Sequence, residues 1–163
     1  MNVRRHAAAI VAALSLCLLA PVAARAGGSS PILSITAGQG FATSGGARSL
    51  TVSGSFNFDD LVQIVFPAGL VVWQGSHFVR FDVDGSVREG DAAFVADGIA
   101  AAEIPALLRA GAPVGAARLV EISGARIAAA LPPSFTAGGV SAMLYADFDG
   151  DQFASNTIAV SLP

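Results

Sequence analysis

The sequence predicts an all-β fold in which two sheets of short antiparallel strands pack as a β-sandwich, with a helical alternative near residues 103–110. Three observations carry this. Apolar side chains recur mostly at every second residue, which places one face inside and one outside. Short runs rich in Val, Ile and Phe are separated by Gly, Ser, Asp and Pro. Asp84-Gly85, Asp97-Gly98 and Asp149-Gly150 stand between strand-like runs and have the composition that tight hairpins need for positive φ.

In chain order, the strands are expected at 31–36, 48–53, 61–66, 70–73, 77–83, 92–96, 117–122, 126–131, 140–148 and 155–162. The last is the clearest, since Ile158, Val160 and Leu162 alternate with Thr157, Ala159 and Ser161. Leu50 and Val52 alternate with Thr51 and Ser53 in the same way. Residues 61–66 are apolar except for Gln63, the pattern of a strand covered on both faces. Residues 92–130 hold 15 Ala in 39 positions, and Ala favours helix over strand. Within them, Pro105 can open and Gly111 can stop a helix of one or two turns. The competing reading is an Ala-rich strand pair that lets two sheets approach closely.

The chain has 163 residues, 53 % of them apolar and 13 % charged. Its first 26 residues have the order of an export leader. Arg4, Arg5 and His6 form a basic head, residues 7–20 are uncharged and mostly apolar, and Ala24-Arg25-Ala26 offers a small-x-small cleavage site after Pro21. A 14-residue helix rises only about 21 Å, short of the roughly 30 Å hydrocarbon core, so a membrane anchor is disfavoured. The one Cys, Cys17, leaves with the leader. Residues 27–163 are then expected to be one periplasmic or extracellular domain with no membrane span and no thiol.

That mature chain sets six Arg and no Lys against twelve Asp and Glu, a net charge of −6. Nucleic acid is a poor partner for such a chain, since that affinity is built on phosphate neutralisation. A His/Cys zinc site, a thiol nucleophile and a disulfide framework are excluded by counting.

The opening run Pro31-Ile-Leu-Ser-Ile-Thr36, the loop glycines Gly45 and Gly46, and Ser49-Leu-Thr-Val-Ser-Gly-Ser-Phe56 resemble the IPT/TIG group of immunoglobulin-like domains. In that group a strand ends in Gly followed by an aromatic, and the next strand reads like Leu61-Val-Gln-Ile-Val-Phe66. The closing hairpin 140–162, with Ser155-Asn156 before its last strand, is also similar, whereas the middle of the chain is longer than in the group. The resemblance implies an immunoglobulin-like sandwich of bacterial exported or surface proteins, acting as a structural or binding module on a protein or glycan ligand without catalysis.

Candidate chemistry is sparse. Asp147, Asp149 and Asp151 alternate in an acidic hairpin and could converge on calcium, with Asn156 as a further oxygen donor. Counting from Asp147, the Gly and Glu that an EF-hand needs at its sixth and twelfth positions are replaced by Gln152 and Ile158. A plain hairpin with its carboxylates in solvent is the favoured reading. Asp82, Asp84, Glu89 and Asp91 form a second acidic stretch, expected as a solvated hairpin with surface ion pairs to Arg80 and Arg88. His77 is the one His of the mature chain. It lacks a Gly-x-Ser-x-Gly elbow to serve, so no catalytic residue is assigned. Trp73 and Tyr145 could make a sugar-stacking platform, but core packing is the simpler use of both. The low charge, the absence of Lys and the Gly/Ser-rich start at 27–31, which could serve as a donor arm, give the alternative of a surface-fibre subunit that self-associates by strand pairing.

The leader makes a direct prediction. Mass spectrometry of the exported product is expected to show a chain beginning at Gly27, and an intact N-terminus would refute cleavage.

Overall fold

A computed structural model describes residues 33–56 and 67–163. The expected leader, the Gly/Ser-rich start at 27–31, the first two residues of the predicted opening strand and the whole predicted strand 61–66 lie outside the described residues. The described chain begins with β1 (Leu33–Ala42), β2 (Arg48–Phe56), β3 (Ala68–Gln74), β4 (His77–Asp82) and β5 (Val87–Asp91). A helical stretch follows: α1 (Ala93–Ala96), a 3-10 turn (Ala101–Glu103) and α2 (Ile104–Arg109). It continues through β6 (Ala112–Pro113), β7 (Arg118–Ile122), β8 (Arg126–Ala130), β9 (Gly138–Phe148), β10 (Asp151–Ala154) and β11 (Ile158–Leu162).

Two antiparallel sheets result. One has the order β1-β2-β8-β7, and the other β10-β9-β3-β4-β5-β6, with β11 also paired to β9. The chain is an all-β sandwich, as the alternation predicts. Leu50 and Val52 of β2, Ile127 and Ala129 of β8, Leu70 and Val72 of β3, Val79 and Phe81 of β4, and Ala142 and Leu144 of β9 meet between the sheets.

The second sheet is buried on its other face as well. Val71 and Trp73, Phe78, and Met143 and Tyr145 pack there against Val95, Ile99, Ile104 and Leu107 of the helical stretch. This is why β3 is apolar at nearly every position, the pattern of a strand covered on both sides.

The helical alternative is the one realised, with Pro105 in the first turn of α2 and Gly111 beyond its end at φ +78°. The strand expected at 92–96 is instead α1. Only Val95 of α1 is buried, so one side chain needs to face the sheet, and Ala-rich neighbours favour the helical turn. Asp97-Gly98 accordingly ends a helix rather than making a hairpin, with Gly98 at φ +99° and its N–H bonded to the Val95 carbonyl. β5 is a strand the alternation did not reveal, because Arg88, Glu89 and Asp91 interrupt it.

The strand predicted at 155–162 starts at Ile158 as β11, and β10, which the alternation did not predict, precedes it on the same edge of β9. Ser155 Oγ accepts from the Leu144 N–H, while the Asn156 amide accepts from the N–H and donates to the carbonyl of Ile35. Those bonds carry the chain from one sheet towards β1 of the other.

At that flank β1 lies directly on β11. A Cβ built on Gly40 would sit 2.5 Å from the Ser161 carbonyl oxygen, and one on Gly38 would be 2.5 Å from both Ile158 and Val160 side-chain carbons. Gly40→Ala is therefore expected to lower the unfolding free energy by about 1–3 kcal/mol, since backbone rather than a flexible side chain must give way. Urea unfolding measures this, and an unchanged midpoint would refute the close approach.

Candidate functional site

The β4–β5 hairpin carries polar clusters on both its faces. Its turn is a three-residue loop in which the Asp82 N–H donates to the Ser86 carbonyl and Gly85 takes φ +89°. That turn fixes the register: Phe81 stands opposite Val87, Val79 opposite Glu89 and His77 opposite Asp91. Alternation then sends Phe78, Arg80 and Asp82 to the helical side, and His77, Val79 and Phe81 to the side facing the other sheet.

On the helical side lies a sealed ionic cluster. Arg80 and Asp82 are 4 % and 7 % exposed. The Arg80 guanidinium donates to Asp82 Oδ2 from Nε at 3.2 Å and from Nη2 at 3.0 Å, and Nη1 donates to the Leu107 carbonyl of α2 at 2.8 Å. Ser86 Oγ donates to the same Asp82 oxygen at 2.9 Å, and the Tyr145 hydroxyl donates to Asp82 Oδ1. Tyr145 reaches Asp82 across β3, because the residue between them in register is Gly69. Burial, reinforced by the Asp82 charge, holds the Tyr145 hydroxyl well above its ordinary pKa, so it remains a donor.

The surface ion pairs expected for this stretch are thus corrected. The Arg80–Asp82 pair is buried because the helical stretch covers this face. Arg88 on the same face donates to the Gly111 carbonyl at 2.9 Å. Asp84 and Asp91 are the solvated residues expected. The Asp84 carboxylate accepts from the Ser86 N–H at 2.8 Å, and that backbone bond, together with the Ser86 side chain, lowers its pKa.

On the opposite face, at the mouth between the sheets, His77 joins two carboxylates. Its Nε2 is 2.9 Å from Glu89 Oε1 and its Nδ1 is 3.3 Å from Asp91 Oδ1. Ser134 Oγ donates to the same Glu89 oxygen, and the imidazole lies 5.2 Å from the Phe135 ring. Gln74 bonds Thr136, and Arg48 donates to the Phe135 carbonyl, so the segment before β9 is tied down from both sheets. The serine therefore meets a carboxylate oxygen rather than an imidazole nitrogen.

The acidic hairpin is built as a two-residue turn with Asp149 at φ +58° and Gly150 at φ +93°. Asp147 Oδ1 accepts from the Gly150 N–H at 3.1 Å. Phe148 is opposite Asp151 and Asp147 opposite Gln152, so Asp147 and Asp151 belong to different faces of the hairpin. Asn156, considered as a fourth donor, is committed to Ile35. Among the described residues no three His, Cys, Asp or Glu side chains are grouped to hold a metal ion. Trp73 and Tyr145 are buried, so they offer no stacking platform.

The hairpin that carries the partners of His77 was signalled by Asp84-Gly85, but its register was not: a two-residue turn there sets His77 against Ala92, and the three-residue loop brings it opposite Asp91 with Glu89 on the same face. Ser134 had no such signal, because a long connection brings it in. No family model matches this sequence, and no curated protein is similar to it.

Asp82→Ala is expected to cost about 3–5 kcal/mol of stability by leaving Arg80 charged and unpaired. Tyr145→Phe is expected to cost about 1.5–3 kcal/mol. The double change Arg80→Met/Asp82→Leu should be less damaging than Asp82→Ala alone, and chemical denaturation of the three variants checks the order. Asp84 adds a smaller acid-dependent increment. It is present above the ordinary carboxylate value of 3.8 and lost as pH falls through the lower folded value. Asp84→Asn should remove that part of the acid dependence.

Proposed function

We propose that the chain is an exported, non-catalytic β-sandwich module with a structural or ligand-binding role, of the immunoglobulin-like kind that the IPT/TIG resemblance implies. The observation that carries this reading is what the reactive side chains are attached to. Arg80, Asp82 and Tyr145 are spent on fixing α2 to the sheet, and Ser134 is bound to Glu89 rather than to His77. A serine nucleophile needs a base within hydrogen-bond reach, and here the imidazole is occupied by two carboxylates.

Among the described residues, the large apolar side chains that reach solvent sit on sheet edges. Val120 is 59 % and Ile122 40 % exposed on β7, which ends one sheet, and Phe41 is exposed on β1 at the other end of it. An exposed edge recruits an extended protein segment by strand addition, with main-chain bonds giving affinity and side chains giving register. That favours a protein ligand over a glycan. Export is supported by the order of basic head, apolar run and small-x-small site at residues 4–26.

Chromogenic esters and glycosides offered to the purified protein are expected to show no turnover that depends on His77 or Ser134. A rate that falls to background in both His77→Ala and Ser134→Ala, each with an unchanged melting temperature, would overturn the reading.

A further inference from the structure

The sheet edges differ in how they are shielded. β1 is laid on β11 through Gly38 and Gly40, and Asn156 bonds the Ile35 backbone there. β6 is two residues long and includes Pro113, which has no N–H to offer. β10 is four residues long and leads out of the acidic turn. β7 has five residues and no Pro, and among the described residues no strand pairs with its outer side.

The register of β7 says what fits it. Arg118, Leu119, Glu121 and Ile122 stand opposite Ala130, Ala129, Ala128 and Ile127 of β8, and Val120 is the extra residue of a bulge. Ala129 and Ile127 are buried between the sheets, so Leu119 and Ile122 face inward while Arg118 and Glu121 face outward. A straight strand loses step at such a bulge, which is one way edges are protected. A second β7 centred to one side of the bulge meets it once on each side of the two-fold axis, with one residue set against the two of the bulge.

Two antiparallel copies related by a two-fold must have one position facing itself. Centring on Leu119 pairs inward with inward, and it sets outward Arg118 of each copy against the Val120–Glu121 bulge of the other. Two opposite-charge contacts form at once, each to a Glu121 that also lies 3.6 Å from the exposed Arg126 of its own β8. Centring on the bulge also matches the faces, but it sets Glu121 against Glu121. Centring on Ile122 pairs fewer residues of the strand.

We propose that β7 pairs antiparallel with β7 of a second copy, centred on Leu119, joining two four-stranded sheets into one continuous sheet and closing as a dimer. This deepens the module reading by naming its partner. The two fail separately: a monomer would leave the turnover result standing, and His77-dependent turnover would leave the dimer standing.

Sedimentation of protein purified from cells expressing the full sequence, over a wide concentration series at low salt, is expected to show one copy passing to two and no further. Arg118→Glu and Glu121→Arg should each weaken the dimer about tenfold or more, since each sets like charges at both symmetric contacts. The combined Arg118→Glu/Glu121→Arg exchange should restore it. Amide exchange at β7 gives a second readout on the unaltered protein, slower at high concentration than at low. A mass of one copy throughout, assembly beyond two, single reversals that leave the dimer intact, an exchange that does not rescue, or β7 amides indifferent to concentration would each overturn the proposal.

Discussion

An arginine and an aspartate two residues apart on β4, closed over by a helical stretch, set the terms for the rest of this molecule. A charge taken out of water costs several kcal/mol unless its partners are in place, so Arg80 and Asp82 can be buried only together and only with the remaining donors and acceptors supplied. The structure supplies them from three directions. Leu107 lends a carbonyl near the end of α2, Ser86 a hydroxyl from beyond the turn, Tyr145 a hydroxyl from two strands away, and Arg80 meets Asp82 through two nitrogens. No side-chain nitrogen or oxygen among the described buried residues is left without a partner.

That cluster decides which face of the second sheet the helical stretch must cover and how far along it sits. Apolar contacts of Ile104 and Leu107 with Trp73, Phe78 and Met143 are non-directional and would tolerate sliding. The bond from Arg80 to the Leu107 carbonyl does not tolerate it. Gly69 is part of the same constraint: any side chain there would stand between Tyr145 and Asp82, and a Cβ would also meet the Phe81 backbone. The face towards the other sheet needs no such device. There the close packing of Leu50, Val52, Leu70, Val72, Phe81 and Leu144 fixes two rigid sheets against each other.

Much of the frame was legible because alternation reports burial directly. β2, β4, β8, β9 and β11 are where Leu, Val, Ile and Phe alternate, and Asp84-Gly85 and Asp149-Gly150 turn the chain as their φ preferences require. Residues that answer to non-local partners were illegible. Arg80 and Asp82 look like surface charges in a hairpin until something 25 residues downstream covers them. β5 reads as polar because Glu89 and Asp91 face His77 at the mouth of the sandwich rather than a hydrophobic core. Residues 92–96 are ambiguous in principle, since a five-residue apolar run serves a strand or a helical turn equally and only the single buried Val95 separates the two.

With no Lys in the chain, shielding of the sheet edges has to come from geometry more than from charge. Closing the β1 flank required the opposite of what core packing requires: Gly38 and Gly40, with no side chains, let one backbone rest on another. The same solution was not open to β7, because the inward positions of an end strand must still carry Leu119 and Ile122 to cap the core formed by Ile127 and Ala129. An end strand that contributes apolar side chains to the core and has no strand laid over it among the described residues exposes part of them, as Ile122 does. The asymmetry between the two flanks therefore follows from packing. A sandwich can fold one of its end strands flat onto the facing sheet, but the other must keep its side chains, and with them an edge that a matching strand can use.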